Sequence, residues 1–252
     1  MSYHYGKFNW FEHLSDDPAQ ARDFHQALFG WKIRAVTLGG SAYQLIHNGE
    51  TALGGLRQAP PGTRCHWNSF LSVADVDASY GDAVAAGARA LLPPFDFAGI
   101  GRAATLADPA GAAVSLWHGR EGDRPDLDNV AAGDWCWNEL MTPDAKGALV
   151  FYERVFGYSH DAMKSPAGDY YVLKSADGKG RGGVIQTSHA DAPPTWMPYV
   201  RVEDTDAIAA RVGPLGGKLM MTPTTLPGVG RIAALFDPLG AALGIIHPAV
   251  RA

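Results

Sequence analysis

Apolar and polar residues along the first sixty positions follow the periods of a strand and then of a helix. Lys7–Leu14 is rich in aromatic residues and predicts a strand whose alternate side chains lie on opposite faces. Asp16-Asp17-Pro18 then begins a helix, because an acidic residue can cap its first amides and proline fits its first turn. The helix buries an apolar stripe that includes Phe24. Three further strands complete a β-α-β-β-β module, at Trp31–Leu38, Ala42–His47 and Thr51–Arg57.

The same order of elements returns after Pro60-Pro61-Gly62. A strand is predicted over Cys65–Val73, and a helix from Asp75 to about Ala86. Asp108-Pro109-Ala110-Gly111 has the composition of a tight turn, because proline presets one backbone angle and glycine accepts a positive one. The remaining strands of this second module are predicted at Arg89–Leu92, Gly101–Leu106 and Ala112–Trp117.

The second half of the chain repeats the first. Trp67–His118 recurs as Trp196–Pro248 at an offset of about 129 residues, and the residues around Trp10 recur around Trp137 at about 127. Such a repeat decides the architecture, so we predict four modules, at 7–58, 65–118, 134–188 and 195–248. Each module has one sheet face to bury, so the modules should pair in twos and leave clefts. The predicted domains are 1–120 and 134–252, joined by a polar linker at 121–133.

Composition and charge narrow the functional classes. The formal net charge of −5 gives no reason to expect nucleic acid or a membrane surface as partner. The two cysteines, Cys65 and Cys136, form no CxxC motif, and no secretory leader or long apolar segment is visible. We therefore expect a cytoplasmic protein with reduced thiols, a monomer or homodimer whose partner is a small organic molecule.

Three features together resemble a known superfamily. They are the paired β-α-β-β-β modules, the acid-proline helix start that leads to Phe29-Gly30, and the Asp-Pro-x-Gly turn at Asp108–Gly111 and Asp237–Gly240. All three resemble features of the vicinal oxygen chelate superfamily, which includes glyoxalases, bleomycin-resistance proteins and extradiol dioxygenases. Its tandem two-domain bacterial members are the most similar. The resemblance implies an α+β fold: four β-α-β-β-β modules pairing into two glyoxalase-like domains with curved mixed sheets.

The resemblance also implies where a metal would bind. Enzymes of the superfamily hold a divalent metal with His, Gln or Glu from the first and last strands of a module. The corresponding residues here supply almost no ligands, since an indole has no lone pair to offer; they are Trp10, Asn68, Ser115, Trp137, Met197 and Gly244. The chain's histidines show none of the spacings that metal sites use, and we expect surface or loop roles for them, with His13 on the helix side of its strand. We predict no metal and no cofactor.

Glu12 and Glu139 are the candidates for catalysis. Each lies two residues after a tryptophan on a strand, so it shares the cleft face with that indole. A carboxylate on an apolar face has a raised pKa, which suits a general acid or base. The alternative is a structural ion pair, of Glu12 with Arg102 and of Glu139 with Arg231, since both arginines are duplicated as faithfully as the glutamates.

An aromatic-lined pocket is expected in each half, for a small aromatic or carbonyl-bearing compound. The side chains expected to line these pockets are Trp10, Tyr43, Asn68, Phe70, Arg102, Ser115, Trp137, Tyr171, Met197, Tyr199, Arg201 and Arg231. One function class is a binding protein like the bleomycin-resistance members, which needs only shape, stacking and hydrogen bonds. A second is a glyoxalase-, lyase- or dioxygenase-type enzyme with an atypical metal site or none, and a third is a regulatory protein with vestigial pockets.

Overall fold

A computed structural model describes residues 5–38, 40–122, 130–165, 168–187 and 192–249 of the chain. The first module consists of β1 (Phe8–Ser15), α1 (Pro18–Phe29), β2 (Lys32–Leu38), β3 (Ser41–Asn48) and β4 (Thr51–Gln58). The carboxylate of Asp17 accepts hydrogen bonds from the amides of Ala19 and Gln20, and Pro18 opens α1, as the sequence predicts.

The other three modules have the same order of elements. The second contains β5 (His66–Ser72), α2 (Val76–Ala85), β6 (Arg89–Phe97), β7 (Gly101–Ala107) and β8 (Ala113–Gly119). The third contains β9 (Trp135–Thr142), α3 (Ala145–Phe156), β10 (Ser159–Ser165), β11 (Gly168–Lys174) and β12 (Gly180–Gln186). The fourth contains β13 (Thr195–Arg201), α4 (Thr205–Val212), β14 (Lys218–Leu226), β15 (Gly230–Phe236) and β16 (Ala242–Pro248).

Two eight-stranded mixed sheets have identical strand orders. The first is β2-β3-β4-β1-β5-β8-β7-β6, and the second is β10-β11-β12-β9-β13-β16-β15-β14. In every module the first and last strands run parallel and the remaining pairs run antiparallel. Trp10 and Trp137 occupy the same position of β1 and β9. The predicted four-module α+β architecture and its repeat are confirmed.

Two compact units divide the chain, and each contains one module from either half. The first unit is Met1–Trp10, Asn68–Asp126 and Trp137–Trp196, and its core packs the apolar faces of α2 and α3 around Leu116, Tyr152 and Trp196. The second unit is Phe11–Trp67, Leu127–Cys136 and Met197–Ala252. Its buried residues include Phe24, Leu28, Trp31, Ile46, Leu56, Trp67, Val212, Leu235 and Ile245.

Strand β6 is longer than predicted. The sequence suggests an end at Leu92, before Pro93-Pro94, whereas the strand continues to Phe97. Because β6 is the last strand of its sheet, a proline there removes no hydrogen bond that a further strand would need. The register with β7 shifts between Leu92 and Phe95, which accommodates the two prolines as an irregularity.

The predicted linker is described only in part, because residues 123–129 lie outside the described ranges. The stretch after them is held within the second unit. Asn48 donates from Nδ2 to the carbonyl of Ala132 at 2.8 Å and to Asp134 at 2.7 Å, and the indole of Trp31 donates to the carbonyl of Gly133 at 2.8 Å. No helix in the described part of the chain is long and apolar enough to cross a membrane.

Candidate functional site

Glu12 places a buried carboxylate at the centre of β1. Its side chain accepts a hydrogen bond from the hydroxyl of Tyr43 on β3 at 2.8 Å and one from Arg57 on β4 at 3.3 Å. The residue is 2 % exposed, and burial raises the pKa of its carboxyl even though Arg57 and Tyr43 act in the opposite direction. The carboxyl is therefore buried among apolar groups, and two hydrogen-bond donors compensate part of the cost of burial.

A glycine lets Tyr43 reach Glu12. Gly55 on β4 is the direct neighbour of Glu12 in the parallel pairing of β1 with β4. A Cβ atom on Gly55 would lie 2.0 Å from the hydroxyl of Tyr43, closer than any side chain permits. The hydroxyl end of the tyrosine thus occupies the place of a side chain on Gly55, which explains why the strand carries glycine at a position where β-branched residues are usual.

The same arrangement recurs in the first compact unit. Gly183 is the neighbour of Glu139 on the adjoining strand, and a Cβ there would lie 1.9 Å from the hydroxyl of Tyr170. Tyr170 hydrogen-bonds Glu139 and also accepts from Nε1 of Trp137 at 2.9 Å. Burial raises the pKa of Tyr170, and the neighbouring Glu139 raises it further. We call Glu12–Tyr43 and Glu139–Tyr170 the Glu–Tyr pairs.

The ion pairs expected for the glutamates are wrong. Arg102 binds Asp77 through two guanidinium nitrogens, and Arg231 binds Asp206 in the same way. Both aspartates lie in the first turn of a helix, on the second residue after its N-cap, where an anion is also favoured by the helix dipole. The arginines are duplicated because this surface ion pair is duplicated, and Arg57, which the repeat does not single out, is the cation beside Glu12.

The residues that correspond, by the resemblance, to the superfamily's metal-ligand positions make the following contacts. Asn68 is buried and donates from Nδ2 to Ser115 Oγ at 2.8 Å, and that hydroxyl lies 2.7 Å from Thr105. In the fourth module, the ring of Tyr199 packs against Gly244, and Met197 is buried. Trp137 uses its indole N–H on Tyr170.

The remaining predicted pocket residues are placed as follows. Phe70 packs edge-on against Trp117 with the ring centroids 6.5 Å apart. Tyr171 contacts His160 at 5.5 Å and points away from the face that holds Tyr170, because successive residues of a strand face opposite sides. Arg201 donates a hydrogen bond to the carbonyl of Val130, so its guanidinium group contacts the segment that precedes β9. Their roles in ligand binding stay predictions.

The surface role predicted for the histidines is wrong for two of them. His13 on β1 and His25 on α1 are fully buried, and both lie against the carboxylate of Asp237. In the described part of the chain, these three residues form a group whose ligand atoms are close enough together to hold a metal ion. The repeat could have drawn attention to these two histidines, because the second half has Leu140 and Tyr152 at the positions of His13 and His25. His13 does face the helix, as expected, whereas His4 and His189 lie outside the described residues.

The cysteines are poor nucleophiles. Burial raises the pKa of Cys136 to about 12, and it also raises the pKa of the less buried Cys65. At pH 8.5 we expect roughly one thiolate in three thousand at Cys136, against about half for an ordinary thiol. Iodoacetamide labelling should therefore modify Cys136 at least tenfold more slowly than Cys65. The variant Cys65→Ser isolates the slow site, and fast labelling of folded Cys65→Ser protein would contradict the expectation.

Comparison with known proteins finds a glyoxalase-like family model and relatives that are similar along nearly the whole chain. The family model described as "Glyoxalase-like domain" matches residues 11–117. "Putative glyoxylase CFP32" of Mycobacterium tuberculosis is 36% identical over 98% of this chain and 97% of its own length. "Anthracycline biosynthesis protein DauV" of Streptomyces sp. strain C5 is 28% identical over 94% of this chain and 92% of its own length.

A solved structure supports the same assignment at the level of the fold. The 2,2',3-trihydroxybiphenyl 1,2-dioxygenase of Sphingomonas wittichii strain RW1 superposes with a TM-score of 0.66 at 16% identity, over 98% of this chain and 91% of the dioxygenase. Four repeated β-α-β-β-β modules, a glyoxalase-like family match and nearly full-length similarity to "Putative glyoxylase CFP32" agree with one another. The chain belongs to the vicinal oxygen chelate superfamily.

Proposed function

We propose that this protein binds a small aromatic or carbonyl-bearing organic compound at the Glu–Tyr pairs, without a metal at the positions that the superfamily uses. The observation that carries the proposal is the duplicated carboxylate–phenol pair, built over a glycine in both halves. A carboxylate on an apolar sheet is costly, and here it occurs twice, each time beside a glycine that makes room for the tyrosine. This repetition supports a role in ligand recognition.

The donor set at the superfamily's metal positions does not fit a divalent metal. Trp10 and Trp137 have no lone pair to offer, and Gly244 has no side chain. Asn68 and Ser115 supply only neutral oxygens, and Ser115 Oγ already accepts a hydrogen bond from Asn68 Nδ2. A zinc-type site needs three or more His, Cys or carboxylate ligands, and calcium needs six or more oxygens. The proposed function therefore takes no step through a metal at these positions.

The pairs offer the polar groups that a phenol or a ketone needs. A carboxylate has about four acceptor positions, and Glu12 uses two of them on Tyr43 and Arg57. A ligand hydroxyl can donate to the same carboxylate, while the neighbouring tyrosine or arginine donates to a ligand carbonyl. In the first unit, the indole of Trp137 beside Tyr170 adds an aromatic face against which a planar ring can stack.

The relatives favour a planar aromatic ligand. "Anthracycline biosynthesis protein DauV" is similar along nearly its whole length, and its name connects that protein with anthracyclines, which are fused-ring compounds with phenol and ketone groups. We infer that a hydroxylated anthraquinone is a suitable first probe. The ring system would stack on aromatic side chains, and its oxygens would meet a Glu–Tyr pair.

Binding of 1,8-dihydroxyanthraquinone to chelator-treated protein tests the proposal. Titrations followed by tryptophan fluorescence should show saturable binding that added Mn²⁺ or Zn²⁺ leaves unchanged. Glu12→Gln and Glu139→Gln each remove a charged acceptor, so the variant at the occupied pair should weaken binding at least tenfold. Glu203→Gln, an exposed glutamate outside the pairs, is the matched control and should bind like the parent protein. Binding that is equal in all four proteins would contradict the proposal.

A second candidate is a glyoxalase-type enzyme with an atypical metal site, which the similarity to "Putative glyoxylase CFP32" favours. The hemithioacetal of methylglyoxal and glutathione is the direct probe for it. Turnover that disappears with chelator and returns with a divalent metal would replace the binding proposal. We expect no metal-dependent turnover.

A further inference from the structure

Two histidines and one aspartate meet in the buried interior of the second compact unit. His13 lies on β1, His25 lies on α1, and Asp237 lies in the turn before β16; all three side chains have no solvent exposure. His13 Nε2 is 2.6 Å from Asp237 Oδ2, and His25 Nε2 is 3.4 Å from the same oxygen. The three candidate ligand atoms all lie within 4.8 Å of one another.

The carboxylate of Asp237 is oriented by the backbone. Its Oδ1 atom accepts hydrogen bonds from the amides of Leu239 and Ala241, each at 2.9 Å, and this leaves Oδ2 aimed at the two imidazoles. Burial acts to raise the pKa of Asp237, but the neighbouring His13 and His25 outweigh burial and hold the pKa well below its usual range. Such an outer hydrogen-bond frame is what fixes a ligating carboxylate in metal sites.

Several polar atoms around this cluster have no hydrogen-bond partner within the described residues. They are His13 Nδ1, Trp67 Nε1 and both ring nitrogens of His25, of which Nε2 has only the 3.4 Å ionic contact with Asp237. Buried polar groups are nearly always paired, because each unpaired one loses its hydration without compensation. The imidazole nitrogens and the indole N–H of Trp67, which packs against both imidazole rings, therefore point to a group that occupies this interior.

The first compact unit shows how the fold closes the corresponding interior without such a group. In the first unit, Leu140, Tyr152, Asp108 and Trp196 stand at the repeat positions of His13, His25, Asp237 and Trp67. There the hydroxyl of Tyr152 donates to Asp108 at 3.3 Å and accepts from the indole of Trp196 at 2.8 Å. The leucine and the tyrosine leave no comparable set of unpaired nitrogens, so the fold itself does not require two imidazoles at these positions.

We propose that His13, His25 and Asp237 bind a divalent transition-metal ion in the second unit. Two imidazoles and one carboxylate suit zinc, cobalt or iron(II). Ligand atoms of a tetrahedral site lie about 3.3 Å apart, given metal–ligand distances of about 2.0 Å. The His25–Asp237 distance of 3.4 Å already matches, and the His13–Asp237 distance of 2.6 Å needs to open by less than one ångström.

A metal-bound water would also satisfy Trp67. The indole ring centroid lies 5.0 Å from that of His13 and 5.2 Å from that of His25, and its N–H has no partner among the described residues. A water in the fourth coordination position can accept this hydrogen bond. The site is separate from the Glu–Tyr pairs, because Glu12 and His13 are successive residues of a strand and face opposite sides of the sheet.

Cobalt uptake tests the site, with the first unit's own residues as the replacement. The full-length protein is unfolded, refolded with Co²⁺ and desalted, so that burial does not block entry of the metal. We expect about one equivalent of cobalt and a visible d–d absorption typical of few-coordinate Co²⁺, with Zn²⁺ displacing it. The double variant His13→Leu/His25→Tyr reproduces the Leu140–Tyr152 arrangement and should retain less than a tenth of an equivalent.

His160→Tyr is the control, because His160 is an exposed histidine outside the cluster, and it should take up cobalt like the parent. Circular dichroism establishes that the double variant is folded; if it is not, Asp237→Asn replaces it, with the same loss of cobalt expected. Parent protein that retains no cobalt or zinc after refolding would overturn the proposal. Equal uptake by the parent and the folded variant would overturn it as well.

Discussion

Replacement of Gly183 or Gly55 by alanine is expected to destabilise the protein strongly. The new Cβ would lie 1.9 Å from the Tyr170 hydroxyl or 2.0 Å from the Tyr43 hydroxyl, so the ring must leave its glutamate. Overpacking typically costs about 1–3 kcal/mol, and loss of a hydrogen bond to a charged group adds about 1.5–3 kcal/mol. We expect a combined loss of about 3–5 kcal/mol in the free energy of unfolding, measured by urea denaturation.

Gly81→Ala is the control for these two variants. Gly81 lies inside α2, and a Cβ there meets nothing within 4 Å. Alanine is the better helix former by about 0.8–1 kcal/mol, so this variant should be as stable as the parent or more so. If Gly55→Ala and Gly183→Ala also unfold like the parent, the tyrosines are not seated across the glycines, and the geometry of the Glu–Tyr pairs is wrong.

Removal of the carboxylate of Asp237 should have an effect of similar size. Asp237→Ala deprives the amides of Leu239 and Ala241 of their acceptor, and it leaves His13 and His25 buried without their carboxylate. Each buried donor left without its acceptor costs about 1–3 kcal/mol, and two amides and one imidazole lose theirs here, so we expect a total of at least about 3 kcal/mol. We expect Asp237→Ala to lower the free energy of unfolding by this amount, as measured by urea denaturation. A chelator is present so that metal content does not differ between the proteins.

Asp206→Ala is the contrasting variant. Asp206 is the partner of Arg231 in an exposed ion pair, where water solvates the arginine that remains. Its melting temperature should stay close to that of the parent protein. A loss for Asp237→Ala no larger than that for Asp206→Ala would mean that the turn before β16 does not depend on its buried carboxylate.

The fold was predictable because local sequence signals define each module and because these signals recur in both halves of the chain. Asp17 and Pro18 begin α1 by short-range chemistry, and every other module begins its helix after an aspartate as well. A secondary-structure signal that is weak in one half becomes stronger when it recurs at the same offset in the other half. The end of β6 was missed because proline stops a central strand and is tolerated at an edge, and edge position is a property of the sheet.

The site was less predictable, because its contacts join distant strands. Glu12 is a candidate because of its place on β1, but its hydrogen-bond partners Tyr43 and Arg57 follow from the order in which β1, β4 and β3 pair. Arg102 was assigned to the wrong acid, since duplication shows that a contact is retained and does not show with whom. His25 was hidden on an apolar helix stripe, and comparison with Tyr152 at the same position of the repeat would have marked it.

A crystal structure of chelator-treated protein soaked with 1,8-dihydroxyanthraquinone tests the central claim most directly. The account predicts a ligand oxygen within hydrogen-bonding distance of the carboxylate of Glu12 or Glu139, or of the hydroxyl of Tyr43 or Tyr170. It also predicts no metal between the ligand and the residues at the superfamily's metal positions. A ligand remote from both Glu–Tyr pairs, or one whose oxygens bind a metal beside Trp10 or Trp137, would contradict it.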